Sequence, residues 1–264
     1  MSNTRYTERA QKVNSLLCVG LDPDFNKLPQ VFKEKEYPQF EFNKWIIEQT
    51  AEYAAAYKPN AAFYEACGDG GMRELKMTME YLQEKYPDIF TILDAKRGDI
   101  GNTNNGYVSS IFDWFGFDAM TLHPYMGAES LQPFLDRKDK ISIILCRTSN
   151  PGAGEFQDLL IETRPLWQVV ANDVNSKWNR NGNCMLVVGA TYPEEMKVIR
   201  SLAPNMTFLV PGIGAQGGDL QTVMKAGLDA SGKGLIIAAS RSIIFADDAA
   251  KEAKKLRDEI NSCR

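Results

Sequence analysis

The chain has 264 residues, 44% of them apolar and 24% charged, and a formal net charge of −4. That length suits one large α/β domain, and the composition is that of an ordinary soluble globular protein. With no basic run and no apolar run long enough to cross a bilayer, neither nucleic acid nor membrane is expected as a partner.

The opening stretch MSNTRYTERAQK is polar and lacks the apolar centre of a signal peptide. Cys18, Cys67, Cys146, Cys184 and Cys263 are scattered with no Cys-x-x-Cys spacing, so free thiols in a reducing cytoplasm are expected. His123 is the single histidine, which removes a two-His zinc site within one chain and leaves any Ser-His-Asp triad dependent on it. It follows a short apolar run, where a hydrogen bond that orders a loop is its simpler role.

In chain order, residues 16–21 (LLCVGL) form the first expected strand, ended by Asp22-Pro23-Asp24. Residues 25–40 are polar and Pro-punctuated and read as a long loop, and 42–53 have helical spacing. Residues 54–60 make the second strand, with Lys58 near its end; that lysine either snorkels to the surface or points into a site. Residues 68–71 (GDGG) read as a turn and 72–86 as an amphipathic helix. The third strand begins with Phe90-Thr91-Ile92-Leu93 and runs into Asp94-Ala95-Lys96. Alternation puts Asp94 and Lys96 on one face, and Asp99 follows a turn at Gly98, so one cation is bracketed by two carboxylates. Asn102 and Thr103 are helix-starting residue types, and 106–115 continue that helix.

Residues 119–122 form a fourth strand, 130–135 a short helix, and 141–146 (ISIILC) a fifth strand. A loop beginning Arg147-Thr148-Ser149-Asn150-Pro151-Gly152 extends to about residue 162, and 166–178 are helical. Strands follow at 185–189, 207–210 and 235–239, with helices at 192–202, 220–226 and 246–260. Pro193 in a first helical turn supports the helix at 192–202. Eight strands alternating with helices, with no break in composition, predict a parallel sheet closed into a (β/α)8 TIM barrel, a single catalytic domain over 1–264. The loops after the strands are then the active face, and Asp22, Lys58, Asp94, Lys96, Asp99 and Ser149 all fall there.

After the seventh strand comes Pro211-Gly212-Ile213-Gly214-Ala215-Gln216-Gly217-Gly218, and after the eighth Ser240-Arg241-Ser242. Loops at these two places commonly bind phosphate through backbone N–H groups, with Gln216 as an amide donor and Arg241 as a two-pronged one. The glycines also spell G-x-G-x-x-G, but they follow the seventh strand and no acidic residue ends the next strand to hold a ribose, so a dinucleotide site is a poor fit.

These residues carry a resemblance. Leu21-Asp22, Lys58-Pro59, Asp94-Ala95-Lys96-Arg97-Gly98-Asp99-Ile100-Gly101-Asn102-Thr103, Ser149-Asn150-Pro151-Gly152, 211–218 and Ser240-Arg241 resemble the orotidine 5′-phosphate decarboxylase family, in its longer bacterial-type branch, across nearly the whole chain. The resemblance implies a cofactor-free and metal-free conversion of orotidine 5′-monophosphate to UMP and CO2 in pyrimidine biosynthesis. It implies Lys96 as proton donor to C6, flanked by Asp94 and Asp99; Asp22 and Lys58 on the ribose hydroxyls; Ser149 on the pyrimidine; and Gln216 and Arg241 on the phosphate. It further implies a cytoplasmic homodimer with shared sites, Asp99, Ile100 and Thr103 reaching into the partner's. Ser240 departs from a common glycine, a change that leaves a backbone N–H contact possible. Two other classes compete: a Mg2+-dependent sugar-phosphate decarboxylase or aldolase-like synthase with a similar Asp-x-Lys-x-x-Asp strand, and a non-catalytic nucleotide-binding barrel.

Overall fold

A computed structural model describes residues 4–213 and 218–264. Eight parallel strands close into a barrel: Leu17–Leu21, Ala56–Pro59, Phe90–Arg97, Ala119–Leu122, Ile141–Arg147, Cys184–Val188, Phe208–Pro211 and Leu235–Ala239. Each pairs with its neighbours in sequence, and the first also pairs with the eighth, through Leu17 opposite Ile237 and Val19 opposite Ala239. Five strands carry no exposed or half-exposed residue, because helices cover the outer face while side chains fill the interior. That is why, Lys58 and Thr121 apart, they read as short apolar runs without a polar alternation. Among the described residues no helix is long and apolar enough to cross a membrane.

The third and fifth strands are longer than the rest, and both shift register near their C-terminal ends. Those irregular ends carry Asp94, Lys96 and Arg147, so the regular ladder stops where the polar residues begin.

Several expectations need correction. The loop expected over 25–40 contains a 3-10 turn at Phe25–Lys27 and a short helix at Gln30–Lys33, and the next helix begins at Pro38 rather than at residue 42. Proline at a helix's first position breaks nothing, since that N–H has no intrahelical partner, so Pro38 marks a start and not a loop. The turn expected at 68–71 is the first turn of the helix Gly68–Lys85. Gly71 is there for close approach: a Cβ would lie 2.1 Å from the Tyr64 carbonyl oxygen. Two π-helical segments, Ser109–Trp114 and Val174–Trp178, extend the helices Gly101–Val108 and Leu166–Asp173. The final helix starts at Ala249, where the Asp248 carboxylate accepts from the Lys251 N–H.

Several helices have no counterpart in the reading of the sequence, Ala61–Glu65 and Gly154–Gln157 among them. Thr4–Lys12 closes the N-terminal end of the barrel, its Tyr6 hydroxyl donating to the Leu235 carbonyl at 2.6 Å. Arg241–Ile244 is a single turn directly after the eighth strand.

Candidate active site

The third strand pairs regularly with the fourth as far as Leu93 opposite Met120, and the next pairing is Arg97 opposite Leu122. Asp94, Ala95 and Lys96 therefore bulge against the single residue Thr121. Lys96 takes a left-handed backbone conformation, φ +49°, that a residue with a Cβ rarely adopts. Despite the bulge, its ammonium meets the Asp94 carboxylate as alternation predicts, Nζ to Oδ1 at 2.6 Å.

Asp94 is the hub. Its Oδ1 also accepts the Thr121 hydroxyl at 2.9 Å, and its Oδ2 accepts the Lys58 ammonium at 3.0 Å. The Lys58 side chain is 9% exposed and that of Asp94 13%, so the pair is shielded from solvent, while the Lys96 side chain is 50% exposed and faces the mouth. Burial alone would raise the Asp94 carboxyl, but Lys58 and Lys96 more than offset it and hold it far below the usual carboxylate range. Burial alone would lower Lys58, but Asp94 and Asp22 more than offset that, and its value rises. Lys58 thus points into the barrel mouth and not out to the surface. Asp22 joins the array through Asn60, whose N–H donates to Asp22 Oδ1 at 3.1 Å. Asn60 in turn bridges to Asp94 across the second and third strands.

Asp99 stands apart. Its Oδ1 accepts the Ile100 N–H at 2.7 Å, its own N–H is held by Asn104 at 3.0 Å, and among the described residues it forms no ion pair. Lys96 is therefore flanked by one carboxylate within the chain, not two. The strand ends at Arg97, one residue past the left-handed turn at Lys96, and Asp99 belongs to the loop that leads into the helix Gly101–Val108. That helix is capped at Ile100, without a side-chain cap from Asn102 or Thr103. Ile100 is 61% exposed, and Thr103 is exposed beside it. His123 Nε2 lies 3.0 Å from the Gly98 carbonyl oxygen and so ties down this same loop.

Ser149 sits after the fifth strand against the end of the sixth, where a Cβ on Gly189 would come within 2.8 Å of the serine Cβ. The loop is braced from inside. Gln157 accepts the Thr148 N–H at 2.9 Å and donates to the Thr148 hydroxyl at 2.8 Å. Buried Arg147 lies 3.8 Å over the Tyr192 ring and reaches Gln157 and Asp158.

Beside the lysine–aspartate array, a cavity of about 180 Å³ opens between the first, second, seventh and eighth strands, lined by Asp22, Lys58, Gly212, Ile213, Ser240 and Arg241 among others. Lys58 and Asp22 belong to both regions. Arg241 is exposed at the rim and, among the described residues, pairs with no acidic side chain. The Ser240 hydroxyl is buried without a hydrogen-bond partner among the described residues. Gln216 lies outside the described residues; the segment's described flanks meet through the Gly218 N–H and the Gly212 carbonyl at 3.3 Å.

Thr121, Asn60, Asn104 and Gln157 were not singled out from the sequence. Thr121 left one signal, a hydroxyl in the otherwise apolar strand Ala119–Leu122. The others act through contacts between elements or across a loop, which local spacing does not carry.

Charged groups gathered at the C-terminal end of a closed parallel barrel, next to a cavity with Arg241 at its rim, define a (β/α)8-barrel enzyme for a small anionic substrate. Comparison with known proteins narrows the class. A model of the orotidine 5′-phosphate decarboxylase / HUMPS family matches residues 15–256. Orotidine 5′-phosphate decarboxylase of Cellvibrio japonicus is 47% identical over 260 residues, covering 95% of this chain and 94% of that protein. The enzyme of the same name from Christiangramia forsetii is 46% identical over 254 residues, covering 96% and 93%. The solved structure of Leishmania donovani OMP decarboxylase is 42% identical and superposes with a TM-score of 0.89 over 99% of this chain and 98% of that one. The chain belongs to the orotidine 5′-phosphate decarboxylase / HUMPS family.

Proposed function

We propose that this protein decarboxylates orotidine 5′-monophosphate to UMP and CO2, with Lys96 delivering the proton to C6. The observation that carries the mechanism is the Lys58–Asp94–Lys96 array, open to the barrel mouth at Lys96 and sealed behind it.

Loss of CO2 from C6 leaves an electron pair in the plane of the pyrimidine ring, where the ring's π system cannot accept it. A fixed ammonium at that point stabilises the developing charge and then donates the proton. Asp94 aims that ammonium and neutralises it, and Lys58 holds Asp94 from the opposite side. Asp22 and Lys58 border both the array and the cavity, which suits contacts to ribose hydroxyls. Arg241 at the cavity rim, together with Gln216, suits the phosphate, whose binding energy is available to organise the reacting end. Ser149, on its braced loop, faces the pyrimidine.

The conversion needs no cofactor or metal in this scheme, and it belongs to pyrimidine biosynthesis in the cytoplasm, where five unpaired thiols are at home. The active species is a homodimer. Asp99, turned away from Lys96 of its own chain, and the exposed Ile100 and Thr103 supply the partner's site. Turnover of orotidine 5′-monophosphate in EDTA, compared with Lys96→Ala, tests the reading. A Mg2+-dependent sugar-phosphate enzyme would leave this substrate untouched and lose its own activity to the chelator.

A further inference from the structure

We infer that Thr121, on the fourth strand, is a positioning residue for Lys96: its hydroxyl holds the lysine's left-handed backbone and the Asp94 carboxylate together. This rests on Lys96 being the proton donor.

Asp94, Ala95 and Lys96 face one residue of the fourth strand, so the ladder supplies no backbone carbonyl for the Lys96 N–H. That N–H is donated instead to the Thr121 hydroxyl oxygen at 2.9 Å. A hydroxyl has one proton, and this one goes to Asp94 Oδ1, also at 2.9 Å. The same Oδ1 accepts the Lys96 ammonium at 2.6 Å. The hydrogen bonds therefore form a closed ring, from the lysine backbone through Thr121 to Asp94 and back to the lysine's own ammonium. Thr121 is 1% exposed, so water cannot take its place.

A non-glycine residue at positive φ persists only where its surroundings fix it. At Lys96 that restraint is a side-chain hydroxyl rather than the sheet. Removing it leaves a part-buried N–H without its partner and lets the strand relax toward regular pleating, where a one-residue change of register turns a side chain to the opposite face. The ammonium then leaves the position set for C6. The cavity at the first, second, seventh and eighth strands does not include Thr121, so ground-state binding through that cavity is preserved.

The test is Thr121→Val, which keeps the shape and removes the hydroxyl, beside Thr121→Ser, which keeps it. Thr121→Val is expected to lower kcat about tenfold to a hundredfold while leaving the dissociation constant of UMP within about twofold. Thr121→Ser is expected to retain most of the kcat. If the valine variant does not fold, Thr121→Ala against Thr121→Ser reads the same hydroxyl. A folded valine or alanine variant with parental kcat, or a serine variant as impaired as alanine, would overturn the inference. Lys96→Ala in the same assay separates the two levels. If it is inert while Thr121→Val is normal, only the role of Thr121 fails; if it turns over, the role of Lys96 fails and this inference with it.

Discussion

Lys58 and Asp94 have opposite electrostatic needs that a single contact satisfies. Each would be disfavoured in its charged form by burial, and each is held charged by the other, with Asp22 and Lys96 assisting. Asp94→Asn should therefore do more than remove an aid to catalysis. It leaves a buried ammonium short of its nearest counter-charge, and stability should fall by about 3 kcal/mol at neutral pH. The sign of the pH dependence follows from the lowered Asp94 carboxyl. Its contribution is fully present above the unfolded value of about 3.9 and is lost as pH falls from there toward the lower folded value. Urea unfolding should show a constant gap between parent and Asp94→Asn above about pH 5, shrinking in more acidic buffer. A gap that widened with acid would contradict the pairing.

At the scale of the element, the ends of strands matter more than their middles. The third strand is an ordinary buried strand until Leu93 and a bulged, left-handed one at Lys96. Strand positions were legible in the sequence because parallel strands covered on both faces leave unmistakable apolar runs, such as LIIAA at 235–239. The bulge is not legible, since it arises from how one strand meets its neighbour, and spacing alone sets Asp99 beside Lys96. Proline and glycine misled in the same way: Pro38 and Gly71 act through a helix start and a close approach, not through turns. Arg241 is readable as a candidate phosphate ligand, and the structure places it at the cavity rim, but the single helical turn that carries it is too short to announce itself. Its role belongs to this strand–turn unit. Arg241→Ala should weaken binding of UMP about tenfold to a hundredfold and leave uridine binding nearly unchanged. Calorimetric titration with both ligands checks this, and equal losses for the two would place Arg241 away from the phosphate.

For the whole molecule, the barrel explains why residues from distant parts of the sequence share one mouth: every strand end is on the same face. It also leaves the site of one chain without Asp99. If the partner's Asp99 completes it, inactive variants should complement each other. Lys96→Ala and Asp99→Ala proteins, unfolded together and refolded as a mixture, should recover about a quarter of parental activity. Half of the dimers are then mixed, and each mixed dimer has one intact site. No recovery, with mixed dimers present, would keep Asp99 out of the partner's site.

The most direct measurement is the ultraviolet absorbance of orotidine 5′-monophosphate over time with purified protein in excess EDTA, for the parent and for Lys96→Ala. Rapid loss of the substrate signal is expected with the parent, and a rate at least about a thousandfold lower with the variant, which should still bind UMP. A parent that leaves the substrate unchanged, or a Lys96→Ala variant that consumes it at a comparable rate, would contradict the account.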